Sequence, residues 1–299
     1  MAHPDNKFYG HNRALLRAAG ASESDVIHGH VQHGWMPGSG LMGRHREVPW
    51  LPKLVWNSNN ARSALAEGHR HVVPIGAPFI YIDNGGSLAS PGNGTLVYPH
   101  HSWEKDEMSA DHHGYIAQIV ERDGSGATVC LYWREYDDLK VRRLYESAGF
   151  RVICHGRRED PLFLERARAE ILRHRRVVSN RVGTALWYAG HMERNVEVYG
   201  PLFVAQESTI EAWDSHRTAE HNWPELFSAG GTDSIAAREM AGVELGDVHR
   251  RTSEELREIC RLDRPRTAAL LDRLAVHATH DVLASAALTR STVNRVLQR

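Results

Sequence analysis

No apolar run in this 299-residue chain approaches the length of a membrane span, and the first residues, MAHPDNKFYGHN, carry no apolar leader. A spanning helix needs about 20 predominantly apolar residues, so the expectation is a protein neither inserted in a membrane nor secreted. Cysteine is scarce. Cys130, Cys154 and Cys260 are far apart and form no CxxC pair. That excludes a disulfide framework and fits a reducing cytoplasm. Charge of one sign is also missing: 36 Lys and Arg face 37 Asp and Glu, for a net charge of -1. Without a basic field, nucleic acid is not the expected partner. The cluster Arg173-His174-Arg175-Arg176 reads as a solvated helix end.

Hydrophobic residues make up 41% and charged residues 24%, which suits a globular fold. The length allows one large domain or two medium ones. Histidine is plentiful at 20, but scattered, so the count alone does not make a metal protein.

The chain alternates between short apolar runs and helical patterns. Residues 12–19 read as a helix ended by Gly20, followed by short strands at Asp25-Val26-Ile27 and Val31-Gln32. PKLVW (52–56) and HVVPI (71–75) read as strands on either side of a helix at 61–67 that NSNN caps. DNGGSLASPGNG (83–94) has little to bury and is the natural boundary. Strands then follow at 95–98, 127–133, 150–154, 176–178 and 196–199, the last of the series, with helices between them. Strand–helix alternation with apolar strands specifies a parallel sheet covered on both faces. From about Ser253 the chain reads as helices, near 253–262, 265–278 and 280–297. The expected division is an α/β unit over 1–90, a Rossmann-like unit over 91–205 and a helical region over 206–299.

Ligands of such sheets bind beyond the C-terminal strand ends. The residues just past the strands are polar in a consistent way: His100 and His101, Arg134 and Glu135, His155-Gly156-Arg157, and Ser179-Asn180. In SNRVGTALWYAG, Ser179 and Asn180 end a strand, and Gly183 and Thr184 open a helix. Backbone N–H groups at a helix start seat a phosphate oxygen well. A plain helix cap is the alternative.

Together, the His-Gly loop, the linker, and Ser-Asn…Gly-Thr-Ala…Tyr followed by Val-Tyr-Gly-Pro resemble the GT-B class of nucleotide-sugar glycosyltransferases. The likeness is nearest to bacterial surface-polysaccharide and teichoic-acid-type transferases and runs from about Asp25 to Pro201. It rests on His33-Gly34 and on Ser179 to Ala185. The resemblance implies two Rossmann-like domains, here with a short N-terminal half, a cytoplasmic enzyme, and a nucleotide-sugar donor as substrate rather than a cofactor. It implies no bound metal, because such enzymes hold the leaving diphosphate with a helix N-terminus and basic side chains. Arg134, His155, Gly156, Arg157, Ser179, Asn180, Gly183 and Thr184 would then hold the donor. The acceptor would be a hydroxyl of a glycan or small molecule, with a peripheral position at a membrane left open. Two things depart from the pattern. No paired acidic residues follow Ser179 to grip a ribose, and no DxD marks a metal-bound diphosphate.

The stretch HGHVQHGWMPG (28–38) admits three readings. His28, His30 and His33 could bind zinc with a further ligand such as His100, His101, His112 or His113. They could simply be satisfied in a polar loop. Or His33 could be a general base, since imidazole titrates near neutrality. In that reading, which we favour, Gln32, Gly34 and Trp35 contact the substrate, Pro37 stiffens the turn, and His101 is a second catalytic candidate. The function alternatives are a nucleotide-sugar epimerase or hydrolase using Glu104 or Glu135, a His-rich metal-dependent enzyme, and a helix-turn-helix regulator built on residues 288–293.

Overall fold

The first helix pair shows how local chemistry sets the elements. Asn57 accepts from Asn60 N and so caps α2 (Ser58–Ala66), as NSNN suggests. Ahead of it, α1 (His11–Ala18) buries Ala14, Leu15 and Leu16 on one side. Three short strands, β1 (His30–Val31), β2 (Lys53–Val55) and β3 (Val72–Pro74), form a parallel sheet in that order. His30 lies opposite Lys53, and Lys53 opposite Val72. A computed structural model describes residues 3–36, 51–82, 92–101, 108–205 and 209–263 of the chain.

The second unit opens with β4 (Thr95–Tyr98), β5 (Met108–Ser109), α3 (His112–Asp123), β6 (Thr128–Cys130) and α4 (Trp133–Asp137). It continues with α5 (Leu139–Ser147), β7 (Arg151–Ile153), α6 (Phe163–Leu172), β8 (Arg176–Ser179), α7 (Thr184–His191) and β9 (Asn195–Val198). Five strands form one parallel sheet in the order β7-β6-β4-β8-β9. The Rossmann-like α/β fold expected from the alternation is therefore present, with two parallel sheets.

Strand periodicity splits the core between the two faces. Val97, Val129 and Val178 pack with Tyr115, Ile119 and Tyr145 of α3 and α5. Leu96 and Val177 point the other way and join Leu186, Trp187 and Ile171. This second cluster continues into the small sheet through Leu54, Trp56, Ile75 and Phe79.

The remaining elements are β10 (Val204–Ala205), α8 (Thr209–Asn222), α9 (Pro224–Phe227), α10 (Ser234–Leu245) and α11 (Ser253–Ile259). α10 buries Ala237, Ala241 and Leu245 against α7, where a Cβ on Gly190 would lie 2.6 Å from Ala237 O. Only a glycine allows this crossing. The helical region also fastens to the small sheet: Asn57 Nδ2 donates to Glu244 O at 2.8 Å, Ala77 N to Leu245 O at 2.8 Å, and His28 N to Cys260 O at 2.9 Å.

Two expectations change. Residues 25–27 form no strand, because Ser22 and Asp25 close a turn through Ser22 N to Asp25 Oδ2 at 3.0 Å. β9 is not the last strand, since β10 pairs antiparallel with β5. Residues 209–245, inside the region expected to be helical, hold three helices whose individual bounds the sequence does not mark. Most of the linker, Pro37, Glu104, the helices expected at 265–278 and 280–297, and the helix-turn-helix segment lie outside the described residues.

Candidate functional site

The large sheet reverses its winding at β4, with β6 and β7 to one side and β8 and β9 to the other. A crevice opens beyond the strand ends at such a switch point. Here β4 runs on into Pro99-His100-His101 and β8 into Asn180-Arg181. Fully buried Asn180 bolts the loops together. Its Oδ1 accepts from His100 N, and its Nδ2 donates to Pro201 O, both at 2.7 Å. Ser179 Oγ accepts from Arg181 N at 3.3 Å.

Arg181 Nη1 donates to His100 Nε2 at 3.1 Å. Burial pulls the His100 pKa well below its ordinary value, and His101 and Arg181 push it the same way. His100 is therefore neutral and accepts through Nε2, which leaves its proton on Nδ1. Burial also lowers the Arg181 pKa. Among the described residues, no carboxylate pairs with this half-buried guanidinium. Such a charge calls for an anion.

The second wall comes from the small sheet. The loop after β1 meets the start of α7 through Trp35 N, which donates to Thr184 Oγ1 at 3.0 Å. The His33-Gly34-Trp35 and Gly183-Thr184 motifs, 149 residues apart at that contact, are thus brought face to face. α7 begins at an extended Gly183 with no side-chain cap, and among the described residues nothing lies within 4 Å of where a Gly183 Cβ would be. Open space in front of an uncapped helix start suits an anion.

Between the walls lies a ring of imidazoles and phenols. Tyr9 sits 5.0 Å from His33 and 4.7 Å from Phe163, centroid to centroid, and hydrogen-bonds Tyr132. Tyr132 stacks on His101 at 4.0 Å. Tyr9 has φ of 57°, a left-handed conformation that a bulky residue adopts only when its surroundings enforce it. The next residue explains the enforcement: a Cβ on Gly10 would lie 2.4 Å from Pro161 O, so this segment is wedged against the loop after β7. His11 is buried, hydrogen-bonds the Gln32 backbone and feels His33. Burial, with His33 adding to it, lowers its pKa to about 3.

Several expected ligand contacts are taken up by the protein itself. Gln32 is fully buried. Its Nε2 donates to Gly34 O and its Oε1 accepts from Trp56 N, both at 2.9 Å, so it shapes the loop. Trp35 Nε1 donates to Glu244 Oε2 at 2.6 Å, and its ring packs on Trp187 and Trp223. His155 lies at the strand end as expected, but Tyr98 OH meets its Nε2 at 2.8 Å and burial lowers its pKa to about 4. It is neutral and does not supply the phosphate counter-charge expected of it. Gly156 sits over Asp160 and Arg166. Arg157 is 68% exposed, paired with Asp137 at 3.2 Å and stacked on Trp133, and so turns to solvent. Arg134 is half-buried in α4. Glu135 interacts with His112 and Tyr145, on the α3–α5 face.

His28, His30 and His33 do not converge. His30 stacks on His3, and His33 faces Tyr9 and Phe8. The sequence reading missed Arg181, Tyr9, Tyr132 and Tyr98. Arg181 sits inside the quoted SNRVGT motif and could have been found there. Tyr9 carries no signal, because only tertiary wedging brings it to the site.

No protein-family model and no curated protein matches the chain. Among solved structures, it is similar to a Staphylococcus aureus MnaA–UDP co-structure at 12% identity and TM-score 0.35, over 69% of this chain and 63% of that one. It is similar to a putative UDP-N-acetylglucosamine 2-epimerase from Listeria monocytogenes at 14% identity and TM-score 0.35, over 71% and 53%. A third is UDP-GlcNAc 2-epimerase from Neisseria meningitidis bound to UDP-GlcNAc, at 11% identity and TM-score 0.33, over 65% and 61%. The chain thus spans at most 63% of the length of these neighbours.

Proposed function

We propose that the chain is an enzyme of nucleotide-activated sugars that modifies the sugar itself, as an epimerase or hydrolase. The carrying observation is the Arg181–His100 pair at the switch point, a guanidinium with no carboxylate partner among the described residues, beside the uncapped start of α7. A nucleoside diphosphate supplies the anion this arrangement asks for. Arg181 and the backbone of Gly183 and Thr184 hold the diphosphate, which places the sugar toward His33, Tyr9 and Tyr132.

That cluster brings several proton carriers to one place, while the pKa of buried His11 keeps its imidazole uncharged at neutral pH. Changing a sugar stereocentre or hydrolysing its bond calls for proton delivery as well as removal. Transfer of the sugar to an acceptor hydroxyl needs one base, and half-buried His33 supports this as the second reading. Diphosphate binding in both readings uses protein groups and no metal.

The test is a thermal-shift panel of UDP, GDP, CDP and ADP with and without EDTA, since a ligand that binds only the folded state raises its melting temperature. The preferred nucleotide's sugars, UDP-N-acetylglucosamine among them, are then incubated without acceptor and the products read by NMR. A shift indifferent to EDTA, followed by a new epimer or free sugar, is expected. Turnover only on adding a hydroxyl acceptor selects the second reading. Absence of any shift overturns both.

A further inference from the structure

The histidine-rich segment has a second destination, away from the diphosphate seat. His30 opens β1 fully buried, and its ring stacks on that of buried His3 with centroids 3.6 Å apart and planes at 10°. Asp5 joins them. Its carboxylate Oδ2 lies 3.8 Å from His3 Nδ1, and its side chain is 15% exposed. One ligand atom from each of His3, Asp5 and His30 falls within 4.8 Å of the other two. Among the described residues this is the one such group of His, Cys, Asp or Glu side chains.

We infer that His3, Asp5 and His30 form a binding site for a divalent cation of the zinc type, which staples the N-terminal segment to β1. The donor set argues for the ion. Two imidazole nitrogens and one carboxylate suit zinc, cobalt or iron(II), and leave positions for water. As stacked, the two rings aim their in-plane nitrogens in parallel, so taking up one ion turns one imidazole about its Cβ–Cγ bond toward the other two ligands.

The site is also preorganised from outside. Asn6, buried between His3 and β1, donates through Nδ2 to Gly29 O and accepts at Oδ1 from Val31 N, both at 2.9 Å. These bonds fix the turn carrying His3 and Asp5 against the strand carrying His30. Second-shell fastening of this kind holds first-shell ligands in place. The consequence reaches the cleft: the same turn ends in Tyr9, and β1 runs into His33. A bound ion would lock these two cleft residues to one another, as a clamp and not as a participant in the chemistry.

The experiment uses the full chain without a histidine tag, dialysed against zinc and then against metal-free buffer. Elemental analysis is expected to find one zinc per chain, removed by EDTA with a fall in melting temperature. Cobalt(II) substitution is expected to give a visible band of a low-coordinate nitrogen–oxygen site. His3→Gln and Asp5→Asn, both with native far-UV circular dichroism, should lose the ion or bind it at least about tenfold more weakly. His33→Gln should retain it. No stoichiometric metal on the folded wild type overturns the inference. So does undiminished binding in both ligand variants, or loss in His33→Gln alone. Nucleotide binding is scored separately in the thermal-shift panel, so this inference fails or stands independently of the proposed function.

Discussion

The two ends of the large sheet are built from the same kinds of polar residues and do opposite things. At the N-terminal end three carboxylates gather most of the charge into pairs, although buried Arg194, just ahead of β9, leaves its Nε and Nη2 without a hydrogen-bond partner among the described residues. Buried Glu197 of β9 takes Arg122 at 2.6 Å, Arg176 of β8, and the backbone N–H of Gly230 at 3.2 Å. Asp123 takes Arg176, Tyr199 OH at 2.5 Å and Thr95 Oγ1 at 2.7 Å. Glu170 takes Arg151, while His174 bridges Glu170 O and Thr128 Oγ1. At the C-terminal end, Arg181 leans on a neutral imidazole, and the neighbours are histidines and tyrosines. Saturation is what a stable sheet end requires. A guanidinium that, among the described residues, meets a neutral ring and no carboxylate suits a ligand site. Under the proposed function, the comparison separates a structural end from a ligand-binding end within one sheet.

Breaking the saturated end has the largest effect. Glu197→Ala leaves two arginines facing each other across a buried gap, and should cost about 3–5 kcal/mol of stability. Urea unfolding measures it. At temperatures where the variant is folded, its nucleotide-induced thermal shift should match wild type. A lost shift in the folded variant would show that the two ends are not independent.

Acid sharpens the contrast next. His11 and His155 are held to about 3 and about 4 when folded, against about 6.5 for a free histidine. The unfolded chain therefore binds more protons below pH 6.5, and stability falls as pH drops from there to pH 4 and then 3. Each contributes a loss of roughly 2 kcal/mol at pH 5. Glu170 acts in a lower window. Burial pushes its pKa up, but Arg151 outweighs this and holds it below the ordinary carboxylate value, so its contribution disappears only as pH falls below about 4.5. Unfolding curves between pH 7 and pH 5 should thus report His11, His155 and His100, together with His112, His216 and His249, which burial also lowers. His155→Gln should flatten the slope, and an unchanged slope would refute the assignment.

This division was half legible in the sequence. Apolar runs such as LVY and RVV, broken by helical stretches, specify parallel strands, and polar strand ends such as His100 and His155 fall on the edge where the proposed site lies. Periodicity does not say which polar residue is consumed by its own neighbours. Asn180, Gln32 and Trp35 read as ligand contacts and are instead braces, because loop backbone groups that would otherwise be buried unpaired claim them first. Tyr9 was invisible because its place depends on Pro161, 152 residues away. α10 falls in the region expected to be helical, but its bounds were not legible because its buried stripe is mostly alanine, which allows close approach to α7 and is a weak hydrophobic signal.

Arg181 is the point where the open end is tested directly. Arg181→Gln removes the charge but keeps a donor for His100. Folding stability should change little, since no buried carboxylate among the described residues is orphaned. Nucleoside diphosphate affinity should fall about ten- to a hundredfold, the worth of a charged hydrogen bond. Calorimetric titration against the wild type reads it. Equal affinity would move the diphosphate elsewhere.

The smallest effect concerns the seam that makes the open end a cleft. Thr184→Val keeps the shape of the side chain but deletes the acceptor for Trp35 N, at a cost of about 1 kcal/mol. Thr184→Ser restores the acceptor. If the hydroxyl matters only as a seam, serine should recover both stability and turnover while valine loses some of each. If instead Thr184 touches the diphosphate through its hydroxyl, valine should raise KM well beyond what its stability loss explains, and ligand should bind serine and wild type alike. A valine variant equal to wild type in both respects would mean that the loop holding His33 is positioned without α7. Gln32 and Glu244 would then be its true anchors, the one through Gly34 O and the other through Trp35 Nε1.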